Sequence, residues 1–272
     1  MPTFQGNPFS NFFKRILQIN QSSNTGVDAT TRNLQTGDGV NTAVSLSDDV
    51  LKVQPQNDNT TGTFVVANQA GNSILSVDTT NSKVLMGASQ YALNTQYVHF
   101  GVTSVSSAGY GVDTWYAVPF VTNYEISSGA TLTMGTANTS SFGDTNPASS
   151  LTISTTAHQA LQHYWYVPDN ITVDSVHWLH SADASTGDVT KAAVMAYDID
   201  TDNGSTSGDL SNGTLVAESS NITNAGWAQV YYNVMSTESP NIDAGKLVLF
   251  CFASDTNNSD FTISATIKYH LR

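Results

Sequence analysis

Apolar positions along the chain follow two rhythms. Near the start, Phe9, Phe12, Phe13, Ile16 and Leu17 stand at offsets 0, 3, 4, 7 and 8, the spacing that lines one face of an α-helix. Asn7 followed by Pro8 supplies the beginning, because asparagine caps helix N-termini and proline at the first helical position gives up no needed donor. The pattern predicts a short amphipathic helix within residues 1–20. A helix of roughly 12 residues is marginal alone, since nucleation is costly. Its five large side chains must be buried, either under the chain's own domain or in another protein.

The rest of the chain reads as strands and turns. Residues 21–42 scatter Val27, Leu34 and Val40 among turn formers, which predicts an extended arm with little core of its own. In residues 43–100, AVSLSDDVLKVQP and SILSVDTTNSKVLMG share a layout of apolar strand, tight Asp-containing turn and second apolar strand, with TGTFVVANQAGNS between them. Leu46 and Val77 are equivalent points of this weak repeat. A β-rich neck so thin is the kind of segment that copies from other chains complete, closing its open edges.

Residues 101–272 hold about ten strand-like runs separated by Gly, Asn, Asp, Ser and Pro clusters. FTISATIKYHL is the clearest: Phe261, Ile263, Ala265, Ile267, Tyr269 and Leu271 alternate with polar residues that include His270, predicting one buried and one wet face. KLVLFCF is apolar throughout, as in a central strand covered on both faces. The expected fold class is all-β: an antiparallel sandwich or jelly-roll-like head preceded by the helix, arm and neck.

Composition agrees with strands. Only 11% of residues are charged, with Ser, Thr, Asn and Gly carrying the polar load in place of helix-favouring Lys and Glu. The net charge of -13 is uneven: residues 1–100 hold five Lys/Arg against six Asp, and residues 101–272 hold four against sixteen Asp/Glu. Such a field repels phosphate backbones and anionic lipid surfaces, so neither nucleic acid nor a membrane is an expected partner. Cys251 is the only cysteine and sits in the apolar KLVLFCF run, where it reads as a buried, inert thiol.

Candidate chemistry is sparse. DIDTDNGSTSGDL places Asp198, Asp200 and Asp202 at alternate positions with Asp209 beyond, oxygen ligands of the kind calcium takes. Asn203 occupies the slot where a calcium loop of the EF-hand type wants glycine, and the alternative is a solvated acidic turn. His177 and His180 lie in strand-like sequence, where positions three apart point to opposite faces and make a poor zinc pair. Trp115, Tyr116, Tyr164, Trp165, Tyr166, Trp178 and Trp227 are of the type that stacks on sugars, though aromatic residues in strands are more often core. No phosphate loop, dinucleotide fingerprint or nucleophile elbow is present, and no enzyme is expected.

SILSVDTTNSKVLMG resembles the "VDTTN…V.(I/M)G" repeat found near the shafts of tailed-phage fibre and appendage proteins. FKRILQINQSSNTGVDATTRNLQTGDG, TQYVHFG, DTWYAVPF, YVPDNITVDSV and YDIDTDNG…GDLSNGT are similar to segments of virion structural proteins of marine tailed bacteriophages, and the similarity spans most of the chain. These motifs are structural and transfer no catalytic residue. The resemblance implies a homotrimeric virion protein, assembled in the host cytoplasm and displayed on the virion surface as a capsid decoration or head fibre. Phe9, Phe12, Phe13, Ile16 and Leu17 would anchor it to a capsid or tail protein, with residues 21–42 as strap and 43–100 as a shaft-like neck. The alternatives are a short tail fibre touching a host-surface glycan and a lectin-like binding module. No cofactor is expected apart from the candidate calcium.

Overall fold

The structure, a computed structural model, describes residues 16–21, 26–87, 91–105, 112–120, 132–137, 145–153, 160–183, 186–226, 228–255 and 260–272. It is all-β, its sheets are antiparallel, and it divides after Asn94 into two units. The division precedes residue 101 because Thr95–Val105 is one continuous strand that pairs with the C-terminal strand and belongs to the larger unit.

The first unit holds two four-stranded sheets. One has the order β1 (Leu17–Ile19), β2 (Arg32–Thr36), β3 (Asn41–Leu46), β4 (Leu51–Val53). The other has the order β5 (Phe64–Ala67), β6 (Ser73–Asp78), β7 (Lys83–Met86), β8 (Tyr91–Ala92). The two related stretches of sequence both fold as hairpins, with Leu46 opposite Leu51 and Val77 opposite Val84. Residues 21–42, expected as a bare arm, contribute β2 and open β3.

The predicted N-terminal helix is corrected at its C-terminal end. Leu17, Gln18 and Ile19 pair with Thr36, Gln35 and Leu34, and Asn20 N–H donates to Asn33 O at 2.9 Å. A ladder to a formed neighbouring strand satisfies the backbone at once, whereas a short helix must first pay for its nucleus. Ile16 and Leu17 are exposed. Phe9, Phe12 and Phe13 lie outside the described residues.

The second unit comprises β9 (Thr95–Val105), β10 (Thr114–Val118), β11 (Thr133–Thr136), β12 (Trp165–Tyr166), β13 (Ile171–Asp183) and β14 (Val189–Ile199). It continues with β15 (Leu210–Glu218), β16 (Ile222–Thr223), β17 (Gln229–Thr237), β18 (Asn241–Ile242), β19 (Leu247–Ser254) and β20 (Asp260–Leu271). The main sheet runs β11-β10-β19-β14-β15-β17-β13-β20-β9. It curls until its ends approach: Gly101 N–H of β9 donates to Pro119 O, just past β10, at 2.9 Å. The halves joined through β15 and β17 enclose a core that includes Phe100, Val176, Trp178, Val194, Phe250, Phe252 and Ile263.

A second core lies on the other side of β10, β19 and β14. Trp115, Met195, Tyr197, Leu249 and Cys251 are covered there by Leu132, Met134, Ala137 and Ala160, with Leu151 and Ile153 packed alongside. β19 is therefore buried at every position, as its unbroken apolar run predicts. Burial also pushes the Cys251 thiol up, consistent with an inert group. β20 alternates as expected from Phe261 to Ile267 and then departs: His270 is buried and Leu271 is exposed. The cause is a register shift at Asp174, between the pairs Val173–Tyr269 and Ser175–Lys268, which sets the Asp174 carboxylate 3.1 Å from His270 Nδ1.

Gly213 shows how tightly the second core is closed. Its N–H donates to Ser149 O at 2.8 Å, and the Tyr197 hydroxyl donates to Ala148 O at 2.8 Å, pinning the 145–151 segment over the sheet. A Cβ at 213 would fall 2.5 Å from Tyr197 Cε1 and 2.9 Å from Ser149 Cα. Neither the wedged ring nor the bonded backbone can yield cheaply, so Gly213→Ala is expected to destabilise the larger unit by about 2–3 kcal/mol. Urea unfolding followed by tryptophan fluorescence measures this, and an unchanged midpoint would refute the account.

Candidate interaction surfaces

Two kinds of surface stand out, beginning with the small sheets. Register places Leu34, Val44, Leu46, Leu51 and Val53 on one face of the first sheet, continued by Leu17 and Ile19. The same logic puts Phe64, Val66, Leu75, Val77, Val84 and Met86 on one face of the second. None of these side chains is buried, and Leu51 keeps 67% of its surface exposed. On the opposite faces Ser45, Ser76 and Asp78 are buried, with Leu85 buried beside Ser76. Asp78 is satisfied by the Asn81 backbone N–H at 2.9 Å and side-chain amide at 2.7 Å. Among the described residues both hydrophobic clusters belong to the larger unit, and the small sheets have apolar faces without a core.

The four aspartates singled out for calcium are not brought together. Asp198 pairs with Lys246 and accepts from the Asn212 amide at 2.8 Å; the Lys246 bond is the main reason its carboxyl titrates below the usual range. Asp200 accepts the Thr206 hydroxyl at 2.5 Å and the Asp202 N–H at 2.9 Å, which lower it likewise. Asp209 instead receives the Ile153 N–H at 2.6 Å, tying the covering segment to the β14–β15 turn. Among the described residues no three His, Cys, Asp or Glu side chains are grouped to hold a metal ion. Hydrogen bonds within the turn hold Asp198 and Asp200 in place.

His177 and His180 do face opposite ways. His177 shares hydrogen bonds with the Tyr232 hydroxyl at 2.8 Å and Ser175 Oγ at 3.0 Å on the outer surface. His180 is buried, stacked on Trp178 at 4.4 Å and Tyr231 at 5.2 Å, with Nε2 3.1 Å from Thr190 Oγ1. His180 Nδ1 and Trp178 Nε1 have no hydrogen-bond partner among the described residues. Desolvation lowers His180 to about 4, so it is a neutral core residue at pH 7. Tyr164 is pushed up to about 12 by burial and then by the Asp209 charge, and Tyr197 is pushed up by burial. Burial in the core is the first cause of each of these shifts.

The aromatic residues weighed for sugar stacking divide the same way. Trp115, Tyr116, Trp165 and Trp178 are core, Tyr164 is half-buried, Tyr166 is exposed, and Trp227 lies outside the described residues. Sequence reasoning missed a second kind of surface, formed by Leu179, Val230, Tyr232 and Val234 on β13 and β17. In AQVYYNVM one phase holds Val230, Tyr232 and Val234 and the other mixes Tyr231 and Met235 with Gln229 and Asn233, so periodicity alone does not show that Tyr231 and Met235 turn inward while the more apolar Val230, Tyr232 and Val234 turn out. Comparison with protein-family models finds no match, and comparison with curated proteins finds none either.

His180 generates a pH dependence with a definite sign. The unfolded chain takes up this proton near the ordinary 6.5 and the folded chain only near 4. Its contribution to stability is thus full above pH 6.5 and is lost as pH falls toward 4, by about 3 kcal/mol. His180→Phe, which keeps a ring between Trp178 and Tyr231, should remove that slope. Urea unfolding at pH 7 and pH 4 checks it: equal acid losses in variant and wild type would contradict the assignment.

Proposed function

We propose that the chain is a non-catalytic, homotrimeric appendage of a tailed-phage virion, a capsid decoration or head fibre with a sandwich-like head, displayed on the particle surface and anchored by its N-terminal segment. The observation that carries this reading is the pair of small sheets with exposed apolar faces. A monomer would keep those faces wet, whereas parallel copies wound about one axis cover them mutually and remove the open edges at the same time. Each Leu, Val or Phe so covered contributes about 1.5–3 kcal/mol, which suits an obligate assembly. The motif resemblance to phage shaft and virion proteins points to the same use. The strongly acidic second unit suits a surface held in water at high local density, where like charge prevents particles from sticking together.

Sedimentation of the full chain tests the assembly, with a trimer mass expected. Leu75→Asp combined with Val77→Asp is expected to yield monomers whose larger unit retains its tryptophan fluorescence. A wild-type monomer at micromolar concentration would overturn the trimer. Removing residues 1–15, which leaves β1 in place, tests the anchor separately: the truncated trimer should fold and be missing from purified virions, and normal incorporation would overturn anchoring by that segment.

A further inference from the structure

The larger unit carries four Lys/Arg against sixteen Asp/Glu, yet the middle of one of its faces, between Asp174 towards one end and the paired positions Asp183 and Asp260 at the other, has no carboxylate. Four neighbouring strands, β17, β13, β20 and β9, make up that face. Register aligns Val234 with His177, His177 with Thr266 and Thr266 with His99, so one row of side chains crosses all four strands. From Ser175 to Ser181 on β13, and at the positions aligned with them, the outward residues are apolar, aromatic, hydroxyl or imidazole, with Lys268 as the one fixed charge.

The patch is most apolar at β17. Val230, Tyr232, Val234 and Leu179 are 69%, 61%, 52% and 43% exposed and adjacent through the β13–β17 register. Tyr232 is held by its bond to His177, the two ring planes lying within 16°. An ordered tyrosine among aliphatic residues, rimmed by hydroxyls, has the anatomy of a protein interface centre. A second, independent feature is the edge beside it. β17 pairs with β15 only at Ser236 and Thr237, so from Gln229 to Val234 no strand among the described residues lies on its side away from β13. That stretch has no Lys, Asp, Glu or Pro, the residues with which open edges are ordinarily protected.

We infer that this face is where the larger units of neighbouring copies meet, an inference that rests on the trimer proposed above. The charge distribution selects the occupant. Copies that each carry sixteen acidic groups on this unit repel one another wherever carboxylates line the contact, and the stretch from Ser175 to Ser181 with its aligned neighbours lets them approach at lower cost. An acidic partner protein would find only Lys268 to pair with, and a glycan would find Val230, Val234 and Leu179 where it needs hydrogen-bonding groups.

The test uses the full chain and a Val230→Glu, Val234→Glu double variant, with Val230→Ser, Val234→Ser in reserve should the first not fold. Mass is read by sedimentation, and hydrogen exchange is read at the β17 amides 229–234 that point away from β13. The expected result is a trimer mass in both proteins, with those amides exchanging at least tenfold faster in the variant. Equal exchange in two trimers would overturn the inference and leave the trimer intact. A monomeric wild type whose β17 amides gain protection with concentration would keep the face as a self-association site and overturn the trimer. Glycan-array binding by the wild type that the variant loses would reassign the face to a carbohydrate.

Discussion

Burial of β19 on both faces is the constraint from which the larger unit follows. A strand reading Leu-Val-Leu-Phe-Cys-Phe-Ala-Ser has no polar phase to give to water, so it requires covers on two sides. Val248, Phe250 and Phe252 fill the interior of the curled sheet, while Leu249 and Cys251 need a further layer. The segments around Met134, Leu151 and Ala160 provide it. Gly213 is small because the Tyr197 ring that clamps this layer occupies the space above it. The curl of the sheet and the dense outer cover are thus two answers to one hydrophobic demand.

The small sheets pose the same demand and leave it open. Their apolar phases are as clear as that of β20, yet Leu51, Phe64, Val66 and Met86 remain exposed while Ser45, Ser76 and Asp78 lie buried. Four short strands enclose too little volume to cover a face by folding over it, and a sheet of that size gains stability chiefly by stacking on another surface. Among the described residues the larger unit holds two cores and the small sheets none, and that contrast is the physical ground for proposing the small sheets as the assembly element and the larger unit as the folded head. It also separates the two candidate contacts: one is demanded by lack of a core, the other permitted by lack of charge.

Charge is arranged with equal economy. Several carboxylates in the larger unit are tied to specific partners, Asp198 to Lys246, Asp174 to His270 and Glu218 to Lys191, which orders turns and strand ends. Against that acidity, the stretch of β13 from Ser175 to Ser181 and the positions aligned with it on β17, β20 and β9 carry no carboxylate. In the acidic run, Asp198 accepts from Asn212 and Asp200 from the Thr206 hydroxyl and the Asp202 N–H, so these two carboxylates order the turn.

Much of the architecture was legible in the chain because strand periodicity is local. Alternation in β20, the unbroken run of β19 and the paired hairpins around Leu46 and Val77 each depend on neighbours within a few residues, and all formed as their patterns indicate. The departures come where distant residues intervene. Leu17 joins a ladder with Thr36 instead of closing a helical turn, and His270 is buried because a bulge at Asp174 brings a carboxylate over it. Sequence by itself determined an all-β, acidic, cysteine-inert protein with strands in nearly the right places. Which phase of an ambiguous strand such as β17 meets water, and which apolar faces go uncovered, only the tertiary structure decided, because those outcomes depend on partners that are remote along the chain.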